Sequence, residues 1–415
     1  MTEPRPNTGP LKGIRVLELT SAMAGPYCGL LLADMGADVI KIEKYPDGDD
    51  IRRSAPPWFN GEPATFLAMN RNKRGIVLNL KDPAGKEVFL KLVDGADVVL
   101  ENMRPGAMAG LGLGYEDLKK RKPDIIYAAL SGFGQTGPYS GRRGFDLVAQ
   151  GMSGIMSVTG EEGGGPTKAG VPICDLTAGS FTANGILCAI IHRLRTGEGQ
   201  MVDTSLLEAG IAYTAWETAI YVSSGEVTGP QGSAHRISAP YQAYRCKDGW
   251  ITLGAASQGN WARMCKVIGR PDLLEDPRFK DNAGRRGRLN ELNEELNAAF
   301  ATETVETWLK RMDEAGVPAG PIYNMAQVWA DPHVRARNMM VEVEHPTAGT
   351  WPAIGVPVKL SATPGAVRAA APLLGQHTAE ILAEVGIEGE ALAKLHAAGA
   401  VTDAALADKE KTAAE

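Results

Sequence analysis

Between residues 13 and 130 short β-rich runs alternate with helical segments, and this alternation restricts the fold more than any other feature of the chain. Residues 13–19 read as a strand. Ser21-Ala22-Met23-Ala24-Gly25-Pro26 is a turn, with Pro26 suited to the first turn of a helix. A helix over 27–35 and a second strand over 37–43 complete a βαβ unit, which requires parallel pairing and a right-handed crossover. Further strands are expected over 75–80, 96–101 and 125–130, with helices over 83–93 and 115–120. Repeated βα units predict a doubly wound α/β domain.

The pattern breaks at 223–238, which is rich in Gly, Ser and Pro. Beyond it a hairpin is expected over 241–253 around Cys246-Lys247-Asp248-Gly249, then helices over 260–268, 282–300 and 304–315. The expected division is 1–224 for the N-terminal part of a large α/β domain and 225–328 for a small α+β domain. Residues 329–415 return to the large domain, with short strands at 341–344, 350–351 and 357–360 and a helix over 372–385.

Ligands of open α/β sheets sit beyond the carboxyl ends of the strands. Three polar clusters fall at such places: Asn70 to Arg74, Asn102 to Gly106, and Ser131 to Pro138 leading on to Arg142 and Arg143. Basic, glycine-rich loops suit a phosphate-bearing ligand, although each alone also reads as a solvated turn. The first turn lacks GxGxxG, and Glu43 is followed by Lys44, so a nicotinamide site is poorly matched. A helix N-terminus beside Lys44 fits a phosphate better. The segment Gly160 to Pro166 lacks GK[ST] and is not a P-loop.

Composition narrows the partners. A net charge of −6 over 415 residues gives no general nucleic-acid or membrane surface. No leader-like opening and no run of about 18 apolar residues is evident. Five scattered cysteines form no CxxC pair and no metal-type spacing, so no metal is expected, and a reducing cytoplasm fits best.

The stretch Gly170-Val-Pro-Ile-Cys-Asp-Leu-Thr-Ala-Gly-Ser180 sets one carboxylate, Asp175, before a small-residue helix over 176–195. By local rules Asp175 reads as a helix N-cap, held ionised at the positive end of the dipole.

These pieces together carry a resemblance. Leu11-Lys-Gly-Ile-Arg-Val-Leu-Glu-Leu19 with Ala24-Gly-Pro26, Gly36 to Glu43, Asn72-Lys-Arg74, Glu101-Asn102 with Arg104-Pro-Gly106, Gly132 to Pro138, 197–202 and Pro372 to Thr378 are similar to the class III CoA-transferase family. The likeness runs from about residue 11 to about 386. It implies an open Rossmann-like α/β large domain with a smaller α+β domain, in a homodimer of interlinked chains. It places the nucleophile on Asp175. CoA contacts fall on Ala22, Met23, Ala24, Lys44, Asn72, Lys73, Asn102, Met103 and Arg143, with Leu206 a further candidate. Gly110 stands where the family often carries a CoA-holding Arg. CoA enters as part of the substrate, with no permanently bound cofactor.

The implied reaction moves CoA from an acyl-CoA to a carboxylic acid, and a carboxylate with a reference pKa of ~3.9 needs no activating base. Gly132, Gly134 and the N–H groups after Asp175 are candidate oxyanion donors. Arg52, Arg53, Arg142, His235 and Arg236 are candidates for a distal carboxylate, which makes succinyl-CoA and a dicarboxylate the first substrates to test. A 2-methylacyl-CoA racemase of the same fold would need a His at Phe145, which cannot move a proton. A non-catalytic acyl-CoA-binding protein is the third reading.

Overall fold

In a computed structural model, which describes residues 7–54 and 56–403, the alternating segments assemble into one sheet. Its parallel strands are β1 (Arg15–Leu19), β2 (Asp38–Lys44), β3 (Lys73–Leu78), β4 (Val98–Glu101), β5 (Ile126–Ser131) and β6 (Met201–Ser205). They lie in the order β3-β2-β1-β4-β5-β6, and Val401–Thr402 adds an antiparallel edge outside β3. Successive side chains of a strand point to opposite faces, and both faces are apolar. Leu17, Ile40, Ile76, Val99 and Tyr127 pack on one side with Val88, Phe89 and Leu92 of the helix Pro83–Asp94. Val16, Val39, Val98, Leu100 and Ile126 pack on the other. There they meet Cys28 and Leu32 of α1 (Ala24–Asp34) and Ile186 and Ile190 of a long helix, Ile173–Thr196. A fully buried Leu or Val contributes ~1.5–3 kcal/mol, so two covered faces give the sheet its hold.

Strand order reverses between β1 and β4, which pair directly with Leu19 opposite Glu101. The loops leaving these strands diverge at that point, the place where α/β sheets open a crevice.

The chain divides into two units. Of the described residues, the first takes in those up to Ile155, Ala169–Ala219 and those from Pro332 to Asp403; the second is Met156–Lys168 with Ile220–Asp331. Grouping Met156–Lys168 with the second unit departs from the expected boundaries. The reason is local: the Gly232 N–H donates to the Gly160 carbonyl at 2.8 Å. In the second unit the strands Tyr241–Arg245, Trp250–Gly254 and Ala319–Pro321 form an antiparallel sheet over a core of Trp261, Phe279, Phe300 and Trp308.

Several expectations are corrected. Residues 357–360 form no strand, and the helix expected over 372–385 is only Thr378–Ala383. The helix over 282–300 is interrupted at Arg288, between Asn282–Gly287 and Leu289–Phe300. The helix Ile173–Thr196 is long and apolar enough to cross a membrane by length and composition, with half of its most apolar window buried. Its Ile, Leu and Ala side chains raise the hydropathy, and small residues such as Gly179 let it pack closely on α1.

Candidate active site

Pro172, with no N–H to offer, precedes the first turn of the helix Ile173–Thr196, so Asp175 falls within that turn and not before it. No side chain of the N-cap residue closes the end. The cap comes from α2 (Asp146–Met152), which precedes the long helix, α3 (Ile173–Thr196), in the chain. Asp146 Oδ1 accepts the Cys174 N–H at 2.9 Å and the Asp175 N–H at 3.3 Å. Its other oxygen accepts Gln150 Nε2 at 2.6 Å, and Gln150 is fully buried. Asp146 therefore does the capping that the sequence assigned to Asp175.

Asp175 is left half-buried, and among the described residues its side chain makes no hydrogen bond. Burial, and then the Asp146 carboxylate, push its pKa up to about 7. The sequence expectation of a fully ionised, cap-stabilised carboxylate is thus overturned. Near pH 7 the group is divided between acid and carboxylate, and the carboxylate is one that few dipoles stabilise. A carboxylate of raised pKa is a stronger nucleophile than a surface aspartate. Cys174 beside it is fully buried, and burial raises its thiol to about 11, so it stays protonated and inert.

The turn after β1 lies against this helix. Gly179 is one helical turn beyond Asp175 and so on the same face. A Cβ there would stand 2.6 Å from the Ala24 carbonyl oxygen, so only glycine admits α1 this close. Ala24, Ala178, Cys174, Leu130 and Leu206 share one apolar cluster. Asn102 joins the turn from the end of β4. Its amide accepts the Ser21 N–H and donates to the Ser21 carbonyl, each at 2.9 Å. The Ala22 N–H donates to Asp49 Oδ1 at 3.2 Å. The Ser21 and Ala22 N–H groups are therefore bonded inside the chain and not offered to an anion. Met103 follows, its N–H held by Glu101 Oε2 at 2.7 Å. Burial pushes the Glu101 carboxyl up to about 7 against that bond.

Other expected contacts are placed differently. Lys44 is exposed at the end of β2 and paired with Asp50 at 2.5 Å. Lys73 is buried, and its ammonium meets Glu18 at 2.8 Å, the Pro26 carbonyl at 2.8 Å and Asn70 at 2.9 Å. A ligand contact by that group would have to break this set. Asn72 belongs to the far end of α1, about 15 Å from Ala24 at 1.5 Å per residue. There its side chain links Asp34 at 2.8 Å and the Arg368 N–H at 2.6 Å. Asn72 and Lys73 also line a cavity of about 580 Å³ with Arg368 and His377.

Arg143 is exposed in a loop that closes where Gly132 and Gly144 meet backbone to backbone. The loop leads through Phe145, 72% exposed, into Asp146. Arg142 stacks 3.9 Å over Tyr139. Arg52 is committed to Glu43 at 2.6 Å and Arg53 to Asp50 at 2.9 Å, which removes them as free carboxylate receptors. His235 and Arg236 lie in the second unit, where His235 meets Tyr241 edge to face. Two of the expected oxyanion donors are occupied as well. The Gly134 N–H donates to Ser131 Oγ at 2.9 Å and the Leu176 N–H to the Pro172 carbonyl at 3.1 Å. Among the described residues no cluster of three or more metal-type ligands occurs.

Sequence reasoning missed Asp146 and Asp49. The dipeptide Phe145-Asp146 was visible, but only folding shows that its carboxylate lands on a helix start 28 residues away.

The chain is similar to known proteins over most of its length. Residues 11–378 match the model of CoA-transferase family III. A succinyl-CoA:glutarate CoA-transferase from Homo sapiens is 39% identical, covering 95% of this chain and 90% of its own. A succinyl-CoA:mesaconate CoA-transferase from Haloarcula hispanica is 40% identical over 91% of this chain and 97% of its own. Among solved structures, a CAIB/BAIF family protein from Brucella suis superposes with a TM-score of 0.83 at 37% identity. That match covers 91% of this chain and 99% of that one.

Proposed function

The chain belongs to CoA-transferase family III, and we propose that it moves CoA from succinyl-CoA to a dicarboxylic acid, with Asp175 as covalent nucleophile. The observation that carries the nucleophile is the raised, uncapped carboxylate of Asp175 on the helix face that meets the turn after β1. Relatives named for succinyl-CoA with glutarate or mesaconate support the donor and the acceptor class.

In this reading an Asp175 oxygen attacks the donor thioester carbonyl. The C–S bond breaks, giving a mixed anhydride and CoA thiolate. The thiolate then attacks the Asp175 carbonyl carbon, the donor acid leaves, and an aspartyl-CoA thioester remains. Acceptor carboxylate attacks that carbonyl and expels thiolate, forming a second anhydride. Thiolate finally attacks the acceptor acyl carbon, which releases acyl-CoA and restores the Asp175 carboxylate. No external base is consumed, because carboxylate enters and carboxylate leaves.

A racemase reading is disfavoured by Phe145, which offers no second base. The acting form is proposed to be a homodimer of interlinked chains. Leu187, Ile191 and Leu194 support it, since they stand exposed at helical spacing on α3, an apolar stripe suited to a second copy. Five unbridged cysteines support work in a reducing cytoplasm.

The test is exchange of labelled succinate into succinyl-CoA, with hydroxylamine trapping during turnover. Exchange with an adduct on Asp175 is expected. Exchange at the parental rate by Asp175→Ala would overturn the assignment.

A further inference from the structure

We propose that Asp49 is a positioning residue, holding the turn after β1 in the shape that receives the CoA portion of the donor. This rests on the reading of residues 22–24 as a CoA surface.

The turn cannot hold its own shape. Ala22 has φ of 64°, in the left-handed region that L residues with a Cβ avoid. Its sequence, Ser21-Ala22-Met23-Ala24, has no glycine to relax that geometry, and Ser21 and Ala22 are exposed. Support must come from outside the turn, and it comes from two sides. Asn102 grips Ser21 from the β4 side with two bonds. Asp49 grips Ala22 from the β2 side.

The Asp49 brace is rigid. Oδ1 accepts the N–H groups of Ala22 at 3.2 Å and Ile51 at 3.1 Å, and Oδ2 pairs with Lys41 Nζ at 2.9 Å. Its own N–H donates to Glu43 Oε2 at 3.0 Å. Lys41 in turn donates to the Thr20 carbonyl at 2.9 Å and pairs with Glu18 at 3.3 Å. A closed ring results: Thr20, Lys41, Asp49 and Ala22 fix both ends of the bend. Asp49 is 3% exposed and Lys41 is fully buried, so neither reaches a ligand. Any effect of Asp49 on substrate must pass through what it holds, the turn and the segment Asp50–Arg53.

A plain structural role is the competing account, because Asp49 also caps the short segment Asp50–Arg53. The two are separated by asking whether glycine at position 22 compensates. Glycine adopts φ near 64° without steric penalty, so it should restore the turn without restoring the cap.

Four variants of the full-length enzyme are compared by calorimetric titration with CoA and by steady-state kinetics. Asp49→Ala is expected to weaken CoA about tenfold and to raise KM for acyl-CoA alike, with kcat at saturation falling less than about threefold. Asp49→Asn, whose amide oxygen still accepts the Ala22 N–H, should recover much of the loss and guards against misfolding of the Ala variant. Ala22→Gly placed in Asp49→Ala should recover part of the CoA affinity, with melting temperature regaining only the relief of the Ala22 strain and not the lost cap. Met23→Trp, which puts bulk on the turn, checks the parent reading. Unchanged CoA affinity in Met23→Trp would remove the CoA surface from this turn. Weakened binding there with parental binding in Asp49→Ala would overturn only the positioning role. Losses in Asp49→Ala that follow melting temperature and ignore Ala22→Gly would overturn it too.

Discussion

Asp146 Oδ1 accepts the backbone N–H of Asp175 at 3.3 Å, while burial, with the Asp146 charge added to it, raises the Asp175 side chain to about 7. One carboxylate thus builds the helix start and adds to the burial that keeps its neighbour protonated. Asp175 has a folded pKa above its reference value, so its carboxylate form, the one the proposed reaction needs, is lost as pH falls through about 7. In the parent enzyme log kcat/KM should fall with unit slope below about pH 7. In Asp146→Asn the amide oxygen still caps the helix but the charge is gone. The acid limb should then move down by about one pH unit, which a pH–rate profile from 5 to 9 measures. An unmoved limb would mean that another group controls it.

Asp175 should also weaken the fold that carries it. Between about pH 4 and pH 7 the folded state binds a proton that the unfolded state has lost, so stability falls as pH rises through that window. Asp175→Asn cannot titrate and escapes the loss. Above pH 7 the variant should be more stable by about 1–3 kcal/mol, a range already reduced for partial solvent screening. The gain should shrink toward zero near pH 4. Urea unfolding at pH 8 and pH 5 checks this, with transfer activity below about a thousandth of the parent.

Lys73 separates a structural from a ligand-binding reading. Its ammonium and that of Lys41 share the buried Glu18 carboxylate. Lys73→Met leaves Glu18 with Lys41 alone and should cost about 3–5 kcal/mol, the penalty of breaking a buried pair. Denaturant midpoints measure it. A variant of parental stability with weakened CoA binding would return Lys73 to the ligand.

Gly110 offers a gain of function. It lies in the short helix Ala107–Gly110, and a Cβ there would meet nothing within 4 Å. Arg is also the better helix former by nearly 1 kcal/mol. Gly110→Arg should lower KM for acyl-CoA about three- to tenfold through an added cation near the CoA phosphates, with melting temperature held or raised. Steady-state kinetics against acyl-CoA at fixed acceptor would show it.

The parallel sheet was legible because its strands are short, apolar and regularly spaced by helices. Leu17 and Val16 fall on opposite faces, as the period of two requires. The site was legible as a set of loops, but not in its internal bonding. A local capping rule gave the cap to Asp175, since the competing acceptor, Asp146, arrives from another helix. Lys73 and Asn72 stand side by side in a basic motif, and only burial shows one facing the core network and the other the far end of α1. Ala22 carries no sequence signal of a left-handed turn, because its geometry is imposed by Asp49 and Asn102. Val401–Thr402 is two residues long, too short for any periodicity to register.

That small strand has a consequence for solution behaviour. Val401 and Thr402 pair with Leu78 and Val77, Thr378 Oγ1 anchors the Thr402 carbonyl at 2.8 Å, and the Asn79 N–H reaches Ala400 at 2.9 Å. Together they close the outer side of β3. Clipping the chain before Ala400 would bare a row of unsatisfied backbone groups along an apolar strand, a template on which other molecules could stack. The cover on this edge of the sheet is therefore a dipeptide more than 200 residues along the chain from Asp175.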